Sequence, residues 1–270
     1  NFYGERFLPH GSVLIVSGDV EIDEIDELVN AHWATWKGKA DRTKITPPRR
    51  VPDPTTVYIV DKPGAVQSVI MVGRLWRGRR DESFYATRLG NRVFGGDFLS
   101  RLNQNLRQRN GYTYGVRSGF RFRRIDSSWS LQTSVQTAVT GAALKEIITE
   151  LRDVADSRPL TEQEVAAARA AEISAFPRSF ETPSGIAGAL AQVAIHRLPL
   201  DYFDKHVQAL NATTGPRAAE LMAEVADQNV RSVLVVGDQK AIVPKLREAG
   251  FEKIQLLDID GRPIGEETQE

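Results

Sequence analysis

The chain has 270 residues, 41% hydrophobic and 26% charged, and its 35 basic and 35 acidic residues balance to a formal charge of zero. That apolar content is too high for a disordered chain, and no apolar run approaches the ~20 residues that span a bilayer. The absence of cysteine excludes disulfide scaffolds, thiolate metal sites and cysteine nucleophiles, and the zero net charge argues against global attraction to nucleic acid or anionic lipid.

The chain opens at Asn1 with no basic–apolar signal segment, and reads as beginning in mid-sequence. Ser12-Val13-Leu14-Ile15-Val16 is β-branched and closes on Gly18-Asp19, so it reads as a buried strand and turn. A helix follows, with Ile22, Ile25, Leu28 and Val29 facing inward. The same unit returns 220 residues later as Ser232-Val233-Leu234-Val235-Val236-Gly237-Asp238, followed by a helix that Gly250 ends. The echo reads either as chance similarity between two common strand–turn–helix units or as a duplicated unit; in the second reading residues 1–45 form the tail of a preceding homologous half, and 55–270 a complete second half. Residues 46–54, with four prolines in nine positions, read as a linker between them.

Beyond the linker, 57–60 and 66–75 read as strands and 81–94 as a helix broken by Gly95-Gly96. Asp97 is expected to cap a helix running to about Arg109. Two alternating strands follow. One places Tyr112, Tyr114, Val116, Ser118, Phe120 and Phe122 on one face; the other opposes Trp129, Leu131, Thr133 and Val135 to serines and Gln132, with a turn near 124–126. An amphipathic helix spans 140–157. Thr161 and Glu164 form a capping box for a helix that stops near Pro177, and Pro183 and Pro216 open two more helices. A closing strand lies around Ile254. The pattern is α+β, a mostly antiparallel sheet with helices on one face.

The four histidines, His10, His32, His196 and His206, include no pair at the spacing that holds a metal on one helix face. The acidic run Glu21, Asp23, Glu24, Asp26 and Glu27 reads as a solvated first helical turn. Arginines crowd residues 74–124, where Asp81, Glu82 and Asp97 oppose them. Their alternation with the aromatics puts the two sets on opposite sheet faces, so they read as a solvent face over an aromatic core. A nucleic-acid stacking platform would need both on one face.

The run Phe94-Gly95-Gly96-Asp97-Phe98-Leu99-Ser100-Arg101-Leu102, continuing through Leu106-Arg107 and Gly111 to Tyr114, closely resembles the second-half signature of the insulinase/pitrilysin zinc peptidases. That signature is a glycine pair, Ser-Arg-Leu, Leu-Arg, then a glycine and a tyrosine seven residues after the arginine. Phe2 to Asp19, Thr161 to Glu164 and Gly237-Asp238 resemble further stretches of the same family. The resemblance implies one α+β half of a clam-shell, in which the other half supplies zinc through H-x-x-E-H. It gives Arg107 a role in holding substrate carbonyls and Tyr114 a role as donor to the oxyanion; without it, Arg107 reads as a helix C-terminal cation and Tyr114 as core packing. H-x-x-E-H is absent, and the helix at 81–94 carries Arg88, Asn91 and Arg92 instead. The implied protein is the substrate-binding, non-catalytic half of a zinc metalloendopeptidase, with no metal of its own, a zinc-bearing homologous half as partner and a peptide as substrate. The alternative is a proteolytically inactive scaffold of the same fold. The lack of cysteine fits a bacterial periplasmic or envelope protein.

Overall fold

The computed structural model of the chain describes residues 2–39, 53–124 and 126–264. Its contacts divide it into two units, one of Asn1–Arg50 and Ser174–Tyr202, the other of Val51–Ile173 and Phe203–Glu270. Of the linker expected at 46–54, residues 46–52 lie outside the described residues, as does Ile125 in the expected hairpin turn.

The larger unit is built on a six-stranded sheet of β1 (Val57–Asp61), β2 (Gln67–Trp76), β3 (Val116–Arg121), β4 (Ser127–Gln136), β5 (Ser232–Gly237) and β6 (Ile254–Leu257). Their order is β3-β4-β2-β5-β1-β6. β4 pairs antiparallel with β2, from Gln67 opposite Gln136 to Trp76 opposite Ser127, and with β3; β5 also runs antiparallel to β2. β1 is parallel to both β5 and β6, so the mostly antiparallel sheet has a parallel margin. Strands that run parallel in one sheet need a crossover, here from β5 over β1 to β6. α10 (Gln239–Glu248) supplies it between β5 and β6, capped by Asp238 and ended by Gly250 at φ +93°.

Alternation decides the faces. Ile59, Ile70, Val72, Leu131, Val233 and Val235 are buried beneath helices, while Ser130, Gln132 and Ser134 on β4 face outward. The covering layer is α3 (Phe84–Asn91), α5 (Thr140–Ala155), α9 (Gly215–Val225) and α10, which bury Leu89, Leu144, Ile147, Leu221, Met222, Ile242 and Leu246. Gly90 lets α3 and α9 cross closely: a Cβ there would lie 2.5 Å from Met222 Cγ and 3.0 Å from the Ala218 carbonyl.

The sheet margins are tied back into the chain. On β3, Asn103 Nδ2 donates to the Val116 carbonyl (2.9 Å) and its Oδ1 accepts the Val116 amide (3.0 Å). Asn91 Nδ2 donates to the Ser118 carbonyl (3.0 Å). At β6, the Ile264 amide folds back onto the Leu256 carbonyl (2.8 Å).

The capping box forms as expected: the Thr161 amide donates to Glu164 (2.8 Å), and the Glu164 amide to the Thr161 hydroxyl (3.3 Å). It opens α6 (Glu162–Ala175), which ends two residues before Pro177. Other expectations are corrected. The helix does end at the glycine pair, but it starts at Phe84 and takes both glycines into a closing π-helical turn, Arg92–Gly96. Asp97 is extended and caps nothing: its carboxylate takes the Leu99 amide and Arg92, and the next helix, α4 (Arg101–Asn103), starts after Ser100. β3 begins at Val116, so Tyr112 and Tyr114 lie in a loop.

In the smaller unit are α1 (Phe2–Arg6), α2 (Ile22–Trp33) and α7 (Pro183–His196), the last with Pro183 in its first turn and capped by Thr182. Residues 12–17 form no strand, and Val13, Leu14 and Val16 are exposed, as are Ile22 and Leu28 on α2. The near-identical β5 is buried because β1 and β2 flank it on both edges; no strand pairs with 12–17 among the described residues. An apolar alternating run without ladder partners has no sheet to enter.

Candidate functional site

The segment from α3 to β3 carries the motif, and most of its residues build the scaffold. At Gly95 a Cβ would strike the Ser118 hydroxyl and lie 2.6 Å from Leu102 Cδ1; at Gly96 it would lie 2.7 Å from the Asn91 amide. Only glycine lets the π turn press against β3. Asn91, 7% exposed, takes hydrogen bonds on its Oδ1 from the Ser118 hydroxyl and the Trp129 indole, both 2.8 Å. Arg101 grips Glu164 with both ends of its fork (2.8 and 2.7 Å) and also donates to the carbonyls of Arg158 and Pro159. Leu102 and Leu106 are fully buried in the core.

Arg107 belongs to a second π-helical stretch, Gln104–Arg109, that continues α4. Its neighbours fix its direction. Asn105 reaches Glu146 (2.9 Å) and Glu150 (2.8 Å) on α5, and Leu106 enters the core. Arg107 is left half-buried on the other side, its guanidinium 4.1 Å above the ring of Phe98, which is itself 60% exposed. No carboxylate among the described residues pairs with it. A guanidinium stacked on a ring keeps its in-plane donors free.

The stretch closes through Asn110 and Gly111. The Asn110 amide reaches the Asn105 carbonyl (3.0 Å), the Tyr112 amide reaches the Leu106 carbonyl (2.8 Å), and Gly111 turns at φ +63°. Tyr112 packs against the core, but Tyr114 is 95% exposed, so it is not a core residue. Its neighbours hold it out. The Thr113 hydroxyl bonds the Gly115 main chain and receives the Thr133 hydroxyl (2.9 Å), so the loop is pinned to β4 on either side of the tyrosine. Arg107 and Tyr114 thus lie on one connected segment with their polar ends unspent. Phe98, the platform under Arg107, carries no marker in the sequence beyond being an aromatic between a glycine pair and a helix start.

Part of the arginine run is paired with carboxylates distant in sequence. Arg77 pairs with Glu224 (2.7 Å) and Arg101 with Glu164, while Arg88 (2.6 Å) and Arg92 (3.2 Å) each take one oxygen of Glu172 on α6. Arg92 also pairs with Asp97 (2.8 Å). Arg74 and Arg77 stack on Trp76, and Arg79 on Phe84. These contacts spend those cations inside the fold, while Arg117 and Arg121 on the outer face of β3 stay exposed.

Arg88, Asn91 and Arg92 occupy i, i+3 and i+4, the spacing of H-x-x-E-H. They do not fit a metal: two protonated guanidiniums flank the Glu172 carboxylate, and guanidinium offers no lone pair. No group of three or more histidine, aspartate or glutamate side chains able to hold a metal occurs among the described residues. Beside this cluster His206 Nδ1 lies 3.2 Å from the Tyr85 hydroxyl. Burial, reinforced by Arg88 and Arg79 and opposed by Glu172, lowers the His206 pKa to about 4. No helix among the described residues is long and apolar enough to cross a membrane.

Residues 1–172 match the family model described as the peptidase M16 inactive domain. The fold is similar to a crystal structure of a peptidase M16 inactive domain from Pseudomonas fluorescens (TM-score 0.72, 22% identity, covering 82% of this chain and 52% of that one). It is also similar to a protease from Helicobacter pylori (0.70, 17%, 82% and 53%) and to a chain of Complex III2 from Candida albicans (0.65, 12%, 87% and 57%). The chain thus spans about half the length of these structures. No curated protein sequence matches it. With the glycine pair, the Arg101 staple and an α3 that lacks H-x-x-E-H, the chain belongs to the peptidase M16, or insulinase-like, family as its inactive, non-catalytic half.

Proposed function

We propose that this domain is the substrate-binding half of a zinc-dependent endopeptidase, facing a homologous half that carries the metal. The observation that carries the reading is the pairing of an unspent guanidinium, Arg107, with a tyrosine 95% exposed, Tyr114, on one pinned segment. Arg107 holds substrate main-chain carbonyls or a carboxylate through its planar donors. Tyr114 donates its hydroxyl to the carbonyl oxygen as negative charge develops there. Zinc belongs to the other half, since no described residue set of this chain fits it.

In the same reading residues 1–45 are the closing strand and helix of that preceding half. The exposed Val13, Leu14 and Val16, identical to the buried Val233 and the half-buried Leu234 and Val236 of β5, support it.

In a protein containing both halves, Arg107→Lys or Tyr114→Phe is expected to lower kcat/KM by about 10²–10³-fold. Unchanged kcat/KM in both variants refutes the reading. The domain by itself is expected to hold no stoichiometric zinc; metal analysis finding one zinc per chain overturns that part.

A further inference from the structure

Away from the Arg107 segment, the larger unit has a cleft of about 230 Å³ at the start of β1 and β5. Val57, Val233, Ile148 and Phe251 form its apolar walls, and Arg231 and Asn229 are among its polar lining. Val57 and Val233 are almost fully buried, so the walls belong to the core.

Arg231 is the unusual member. Its Nε–H is buried and has no hydrogen-bond partner. Its Nη1 reaches only the Ala226 carbonyl, at the 3.5 Å limit of a bond. The nearest carboxylate acting on it is Asp227, whose Oδ1 is already taken by the amide and side chain of Asn229, both 2.9 Å. Burial lowers the Arg231 pKa, the opposite of what a close ion pair would do. Buried donors in native proteins almost always have acceptors, so the protein's own groups leave the guanidinium at this wall under-satisfied.

We propose that the cleft binds a small carboxylate with an apolar body, the carboxylate on Arg231 and the body against Val57, Ile148, Val233 and Phe251. The fork of a guanidinium matches a carboxylate's two oxygens. The apolar walls and the single cation disfavour a phosphate, which calls for several donors. The volume lies below the ~300–1,000 Å³ of clefts for drug-sized molecules, which suits a short branched or aromatic acid. The same chemistry is presented by a free acid and by the C-terminal residue of a peptide. The site is independent of the Arg107–Tyr114 pair.

The test is an NMR titration of the full chain, following the Arg231 Nε–H and the methyl groups of Val57, Ile148 and Val233. Phenylacetate represents the free acid and acetyl-leucine the peptide C-terminus; phenylacetamide and inorganic phosphate are the controls. Saturable shifts at these groups with either acid, and none with the amide, are expected; the stronger of the two acids identifies the source. Arg231→Met should weaken binding about 10–100-fold, as loss of a charge-assisted hydrogen bond does. Should that variant fail to fold, the acid–amide contrast in the native chain decides. The proposal is overturned if neither acid gives saturable shifts, if the amide binds as well as the acid, or if phosphate matches both.

Discussion

Replacing Arg101 by alanine would remove four hydrogen bonds at once, two to Glu164 and two to the carbonyls of Arg158 and Pro159. The Arg101 side chain is 12% exposed and that of Glu164 32%, so the pair sits between a surface bridge, worth ~0–1 kcal/mol, and a buried one, whose breakage costs ~3–5 kcal/mol. A second estimate comes from Glu164. Burial alone would raise its pKa, but Arg101 and the amide and hydroxyl of Thr161 lower it from 4.5 to about 2. That shift corresponds to ~3 kcal/mol, shared between Arg101 and Thr161 and reduced by solvent screening to ~1–2 kcal/mol for the arginine. Adding the two carbonyl bonds, Arg101→Ala should cost about 2–3 kcal/mol, and Arg101→Lys about half as much because it keeps the charge but loses the fork.

Urea unfolding at neutral pH measures this directly. Acid supplies a second readout. Because the folded pKa of Glu164 is depressed, its contribution is fully present above 4.5 and is lost as the pH falls towards about 2. The gap between native chain and variant should therefore narrow across that window. A cost below ~0.5 kcal/mol, the level of an ordinary surface substitution, or a gap that does not change with acid, would mean that Arg101 does not staple α4 to α6.

Gly95→Ala forces a Cβ against Leu102 and the Ser118 hydroxyl and should cost ~1–3 kcal/mol in urea midpoint experiments, whereas Gly119→Ala, with nothing within 4 Å, should stay within ~0.5 kcal/mol. His206 should titrate by NMR near about 4 instead of its ordinary 6.5. Because the unfolded chain takes up that proton first, stability should fall as the pH drops from 6.5 towards 4, and His206→Gln should flatten that slope. Tyr114→Phe should leave stability within ~0.5 kcal/mol, since the ring is solvent-exposed and its hydroxyl lies in solvent.

Local signals in the sequence carried far. The capping box at Thr161, the end of α10 at Gly250 and the alternation of β4 depend on residues a few positions apart, and each forms as read. The loop holding Tyr114 did not yield to the same reasoning. Alternation runs unbroken from Tyr112 to Phe122, but Gly111 and the bonds of the Thr113 hydroxyl stop the strand at Val116. The arginine run looked more unbalanced than it is because Glu164, Glu172 and Glu224 stand far along the chain, and only the packing of α6 and α9 brings them near Arg77, Arg88, Arg92 and Arg101. The first copy of the echo shows the same limit in reverse. Its residues spell a buried strand, but burial is a property of neighbours, and those neighbours are not paired with it among the described residues.

The tying of β3 to Asn91 and Asn103, and of β6 to the turn before Ile264, bears on how this protein meets other chains. A bare sheet margin invites strand addition, the route of both peptide capture by main-chain pairing and runaway aggregation. At these margins the hydrogen-bonding groups of Val116, Ser118 and Leu256 are already taken by the protein's own side chains and backbone. A chain approaching there finds no ladder to extend at those groups, and has to be gripped by projecting side chains instead. Any such grip would read shape and charge more than register, and would let go without unzipping a sheet.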